Sequence, residues 1–150
     1  MFAYVVIDTA SALTDITLSA IDASDIVVLM TTQEIPAIKS ARLFLDLSDA
    51  LGISRRRIIF SMNRFDKRIG ITPEKSGENF KQEIVGVIPF DDRAVVPSVN
   101  RGIPLMINAK TQPVARAIFS LSEVVRQRIV ELSTEDPNAL SSKGKVKGKR

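Results

Sequence analysis

Asp8, Thr31, Thr32, Asn63 and Pro89 each stand at or just past the end of a short apolar run: Phe2-Ala3-Tyr4-Val5-Val6-Ile7, Ile26-Val27-Val28-Leu29-Met30, Ile58-Ile59-Phe60-Ser61-Met62 and Ile84-Val85-Gly86-Val87-Ile88. A carboxylate offers the hard oxygen that magnesium prefers. Threonine hydroxyls and an asparagine carboxamide can donate to or accept from a polar ligand. The 150 residues contain no Cys and no His. That excludes disulfides, thiol nucleophiles, Ser-His-Asp catalysis and zinc sites built from Cys or His. Any chemistry falls to Asp, Glu, Lys, Arg, Ser, Thr, main-chain groups or a hard metal.

For these residues to meet, their runs must lie side by side. Short β-rich apolar runs separated by helical patterns predict parallel strands buried on both faces, hence an α/β fold with a mainly parallel sheet and flanking helices. Ligands of such sheets bind beyond the carboxyl ends of the strands, so the five residues are expected on one rim. Apolar spacing predicts a helix over 13–21, with Thr14 or Thr17 as cap. A second is predicted from Pro36, a good first-turn residue, to about Leu51, with Gly52 as its stop. Thr72-Pro73-Glu74 opens a third, and Phe80 and Ile84 read as core. Phe90-Asp91-Asp92-Arg93 reads as a turn or helix start with Val95 and Val96 turned inward. A last amphipathic helix is expected from Thr111 to about Leu132. Arg55-Arg56-Arg57 admits two readings, a phosphate or DNA contact and a set of solvated charges at the amino end of a strand.

The composition, 45% hydrophobic and 25% charged, is that of an ordinary globular domain. The net charge of +4 comes from Lys143, Lys145, Lys147, Lys149 and Arg150; the first 142 residues carry 16 basic against 17 acidic residues. The expected organisation is therefore one domain over 1–132 and a disordered basic tail over 133–150. No apolar run approaches the roughly 20 residues that cross a membrane. No basic, apolar and small-residue leader pattern follows Met1, so the expected location is the cytoplasm.

Taken in order, Ile7-Asp8-Thr9, Ala23-Ser24-Asp25-Ile26-Val27-Val28-Leu29 with Thr31-Thr32-Gln33-Glu34-Ile35-Pro36, Asn63-Arg64-Phe65-Asp66, Ile88-Pro89-Phe90-Asp91 and Val99-Asn100-Arg101-Gly102-Ile103-Pro104 resemble the MinD/ParA group of deviant P-loop ATPases. The likeness extends over residues 2–132 and is greatest to the CpaE-type proteins of pilus assembly and localisation. It implies a Walker B role for Asp8, holding magnesium through water near ATP phosphates. It also implies an adenine-side role for Asn63, with Arg64 beside the base and Pro89, Phe90 and Asp91 closing over it. Glu34 falls where family members make contacts across a dimer.

One departure is large. The K-G-G-x-G-K-T phosphate loop that precedes the Walker B strand in the family is absent from these 150 residues; Gly144-Lys145 and Gly148-Lys149 are chance pairs. That loop supplies several main-chain donors, a helix N-terminus and lysine to a polyanion. At roughly 1.5–3 kcal/mol per charge-assisted hydrogen bond, its absence removes most of the about 8 kcal/mol of a micromolar affinity. The resemblance thus implies the carboxyl-terminal half of a MinD/CpaE-like ATPase. It would use ATP and Mg2+ only with the missing amino-terminal half or within a homodimer, and would be inactive in hydrolysis alone. Two other readings stay open: a non-catalytic partner-binding module, and a protein whose basic tail binds an anionic membrane at the inner face or a nucleic acid.

Overall fold

A computed structural model describes residues 2–135. Its elements run α1 (Asp15–Ala23), β1 (Val27–Thr31), α2 (Ile35–Ala50), a single 3-10 turn (Arg55–Arg57), β2 (Ile58–Phe65), α3 (Pro73–Phe80), β3 (Ile84–Pro89), α4 (Asp92–Arg101), α5 (Leu105–Asn108) and α6 (Pro113–Glu135). The strands form one parallel sheet in the order β1-β2-β3. Each crossover contains a helix, the connection that parallel strands require.

Local chemistry sets the helix ends. Thr14 and Thr72 cap α1 and α3 by accepting from the main-chain N–H groups of Thr17 and Lys75, and Asp91 caps α4 through Ala94. Gly52, at φ +72, follows the last turn of α2, and Gly102, at φ +63, closes α4; both occupy the left-handed region that glycine enters without penalty. Helix α6 starts at Pro113 rather than at Thr111, with a proline in the one turn that does not need its missing N–H. It continues to Glu135, so Ser133, Thr134 and Glu135 belong to the helix and not to the tail.

Two layers of helix enclose the sheet unevenly. On one face Ile58, Phe60, Met62 and Ile84 pack with Ala41 and Leu45 of α2 and Phe80 of α3. The rings of Phe60 and Phe80 meet edge to face with centroids 5.3 Å apart. Full burial of such a side chain contributes roughly 1.5–3 kcal/mol, so this cluster is the main source of cohesion. The opposite face of β2 and β3, at Ile59, Ser61 and Gly86, is buried beneath α6. Strand β1 does not share that cover: Val28 and Met30, which align with Ile59 and Ser61, remain 40% and 42% exposed.

The first apolar run departs from expectation. Residues 2–10 carry no strand, and Val5 and Val6 are 76% and 93% exposed. A strand exists only where a neighbour completes its hydrogen-bond ladder, and among the described residues none pairs with this segment. Val96 also differs: it is 47% exposed, and the buried side chain of α4 is Ser98. Helix α4 leans chiefly on α5 rather than on the sheet, so its apolar side chains have little to turn toward.

Each residue of the run Arg55-Arg56-Arg57 has a partner within the fold, although Arg56 is exposed. Arg55 forms a bidentate pair with Asp49 at the end of α2, with both hydrogen bonds at 2.6 Å. Arg56 pairs with Glu135 of α6, and Arg57 donates to the carbonyls that end α1.

Candidate site at the carboxyl ends of the strands

Strands β2 and β3 end side by side, and the main-chain N–H of Phe90 donates to the carbonyl of Phe65 at 2.9 Å to fix their spacing. Just before that tie, Arg64 turns into the left-handed region at φ 54. A residue with a Cβ enters that region at a cost of about 1–2 kcal/mol. Three contacts accompany the turn. The Asn63 side-chain oxygen accepts from the Arg64 main-chain N–H at 2.9 Å. The Arg64 guanidinium carbon lies 4.5 Å from the centroid of the Phe90 ring. An Arg64 nitrogen approaches an Asp92 carboxylate oxygen at 3.4 Å. An exposed cation–π contact contributes about 0.5–1 kcal/mol, and an exposed ion pair contributes no more than that. Together they offset the backbone cost and hold a flat guanidinium against a flat ring.

Asn63 and Pro89 were expected on one rim and Arg64, Phe90 and Asp91 beside them from the resemblance; the ends of β2 and β3 that carry them lie together. Asp91 serves a structural purpose as well, accepting from the Ala94 N–H at 3.1 Å to cap α4. The Nδ2 of Asn63 has no hydrogen-bond partner among the described residues. The carboxamide can therefore present a donor and a second acceptor lone pair to a ligand.

Glu34 stands at the start of α2 without capping it; it accepts from the Thr32 hydroxyl at 3.4 Å. Asp8 is exposed and lies in the segment without secondary structure, so it does not end a strand as expected. Among the described residues no group of three carboxylates could hold a metal ion, and no helix is long and apolar enough to cross a membrane. The five basic residues from Lys143 to Arg150 lie outside the described residues.

Sequence reading missed Gln33. Its side chain is buried at 5% exposure and spans from the β1–α2 junction to the loop after β2. It donates to the carbonyls of Asp66 at 3.2 Å and Ile71 at 2.7 Å, and accepts from the Asp66 N–H at 2.6 Å. Asp66 in turn binds Arg68 through both carboxylate oxygens, and that guanidinium holds its carboxyl down at about 2. A glutamine beside a predicted rim was the one available signal.

No family model matches the sequence. The septum site-determining protein MinD of Thermotoga maritima is 27% identical over 139 residues, covering 89% of this chain and 51% of its own length. A MinD-type septum site-determining protein of Tupiella akineta is 30% identical over 112 residues, covering 73% of this chain and 36% of its own. The chain thus shows distant similarity, at low identity, to MinD-type proteins. Its fold agrees: the cell division ATPase MinD of Pyrococcus furiosus superposes with a TM-score of 0.65 at 24% identity, covering 77% of this chain and 48% of that one. A ParA family ATPase of Chlorobium tepidum superposes at 0.66 and 21% identity, covering 73% and 46%. MinD from a MinC:MinD cell division complex of Aquifex aeolicus superposes at 0.68 and 21% identity, covering 77% and 48%. The chain spans about half or less of the length of these relatives.

Toward a purine nucleotide, these residues fit unevenly. A carboxamide with a free donor, beside a guanidinium stacked on phenylalanine, suits a purine edge and face. The described residues offer neither a glycine-rich loop for a polyphosphate nor clustered carboxylates for magnesium.

Proposed function

We propose that this chain forms the base-binding side of a MinD/ParA-type ATP site, a fragment or split half of a CpaE-like ATPase acting in spatial organisation or pilus assembly. The observation that carries the reading is the convergence of Asn63, Arg64 and Phe90 where β2 and β3 end. Asn63 would pair with adenine through its carboxamide, the side chain that matches the N6 and N7 positions of that base. Arg64 and Phe90 would supply a flat surface for the ring, and main-chain groups of Pro89 and Asp91 would border it.

In this reading the phosphate loop is contributed from outside these 150 residues. The edge of β1 is where a further strand would add to the sheet, and its exposed Val28 and Met30 mark a face that further chain would cover. With that strand in place, residues 2–7 would gain the partner they lack, and Asp8 would stand at a strand end where it could hold magnesium. Glu34, exposed at the start of α2, would face a second subunit.

Base contacts alone support affinity of about 1 mM, roughly 4 kcal/mol. The test is a nuclear magnetic resonance titration with adenosine and guanosine, following the Asn63 side-chain NH2 and the Arg64 and Phe90 amides. Saturable shifts with adenosine, weaker with guanosine and lost in Asn63→Ala, are expected. Equal shifts for both nucleosides, or none up to tens of times that concentration, would refute the reading.

A further inference from the structure

We propose that Gln33 is a positioning residue that sets the geometry of the base site through the main chain that leaves β2. The inference rests on the base-binding reading of the rim. The Phe65–Asp66 peptide is tied from both neighbouring strands' ends. From β3, the Phe90 N–H holds the Phe65 carbonyl at 2.9 Å. From the β1–α2 junction, the Gln33 carboxamide holds both main-chain groups of Asp66, at 2.6 and 3.2 Å, and reaches Ile71 at 2.7 Å. Immediately before these ties lies Arg64, in a left-handed conformation that persists only where its surroundings over-determine it.

A buried side chain that satisfies three main-chain groups across 33 and 38 residues of sequence is poorly replaced by another. An aspartate or asparagine is too short to span the gap, and a glutamate turns a repelling oxygen toward two carbonyls. The position adjoins Thr32 and Glu34, so the same carboxamide fixes the start of α2 relative to the rim.

Gln33→Met keeps the length and removes the hydrogen bonds. In the full chain we expect the Asp66 amide to exchange with solvent at least tenfold faster, while Phe60 and Met62 in the middle of β2 are unchanged. The Arg64 amide shift and its φ-sensitive coupling should move toward those of an averaged loop without any ligand. Adenosine should bind at least fivefold more weakly. Gln33→Glu should show the same pattern at neutral pH, giving a second variant if the first is poorly folded. Unchanged Asp66 exchange and Arg64 coupling would overturn the inference, as would faster exchange with unaltered adenosine affinity, which would make Gln33 a local staple only. A uniform rise in exchange across β2 would overturn it too. If the unaltered chain binds no adenosine yet Arg64 still loses its coupling, the base-binding reading falls and the positioning role stands.

Discussion

Arg57 donates to the main-chain oxygen of Ile21 at 3.1 Å, joining the first residues before β2 to the last turn of α1. The same guanidinium reaches the carbonyls of Ser24 and Asp25. A helix leaves its last carbonyls without partners, and here a side chain from the centre of the sheet supplies the donors. Its two neighbours pair instead with side-chain carboxylates at the ends of other helices, Arg55 with Asp49 of α2 and Arg56 with Glu135 of α6. Three consecutive arginines thus tie three helices to the amino end of one strand, on the opposite side of the sheet from the candidate site.

Arg57→Ala should therefore destabilise the chain by about 2 kcal/mol, since charged donors to carbonyls contribute about 1.5–3 kcal/mol and the carbonyls are left unpaired. Arg56→Ala breaks an exposed pair and should cost less than about 1 kcal/mol. Urea unfolding of both variants checks the ranking. Equal losses would mean that Arg57 acts through charge alone.

A side chain at Gly86 should not fit. A Cβ there would come within 2.7 Å of the Ser61 hydroxyl and 2.8 Å of Leu121, where α6 presses on β3. Gly86→Ala should cost about 1–3 kcal/mol, the usual penalty for overfilling a packed core. Trimming the obstacle should recover part of it, so Gly86→Ala with Leu121→Ala should lose less than the two single changes summed. Thermal unfolding of the three variants measures this coupling.

Much of this was legible beforehand for a physical reason. The run at β2 is apolar because both of its faces are buried, and those at β1 and β3 because at least one is, a pattern that survives without any knowledge of neighbours. Thr14, Thr72 and Gly52 mark helix ends through their own conformational preferences. Asn63 and Pro89 were reachable because parallel strands place their ends together, whereas Arg64 and Phe90 came only through the family resemblance. The run from Phe2 to Ile7 misled for a complementary reason: an apolar sequence states what a segment can pair with, not whether a partner is present. Gln33 was invisible because its hydrogen bonds go to main chain, which carries no sequence signature. Arg57 was misjudged likewise, since its partners are carbonyls.

Asp66 should titrate far below an ordinary carboxylate. The guanidinium and N–H of Arg68 hold it at about 2, against about 3.9 in an unfolded chain. A carboxyl depressed in the folded state stabilises it above the unfolded value and loses that contribution as pH falls through the folded one. The loop after β2 should thus be unaffected by pH down to about 4 and loosen between there and about 2. Carbon-detected titration of the Asp66 carboxyl checks the midpoint, and Arg68→Ala should move it up toward the ordinary value. A midpoint near 4 in the unaltered chain would show that the ion pair does not form in solution.

Arg64 separates stability from binding most cleanly. Its main chain is left-handed at φ 54, while its guanidinium makes the contacts to Phe90 and Asp92. Arg64→Ala and Arg64→Gly both remove the guanidinium, but only alanine keeps a Cβ in the strained region. The glycine variant should therefore be about 1 kcal/mol more stable than the alanine variant, the reverse of the order expected within a strand. If the guanidinium forms part of the base surface, both variants should weaken adenosine binding severalfold whatever their stability. Urea unfolding read beside the nucleoside titration tests both halves. Alanine as stable as glycine would mean that the left-handed turn relaxes once the side chain is gone; undiminished binding in both would remove Arg64 from the site and leave Asn63 to read the base.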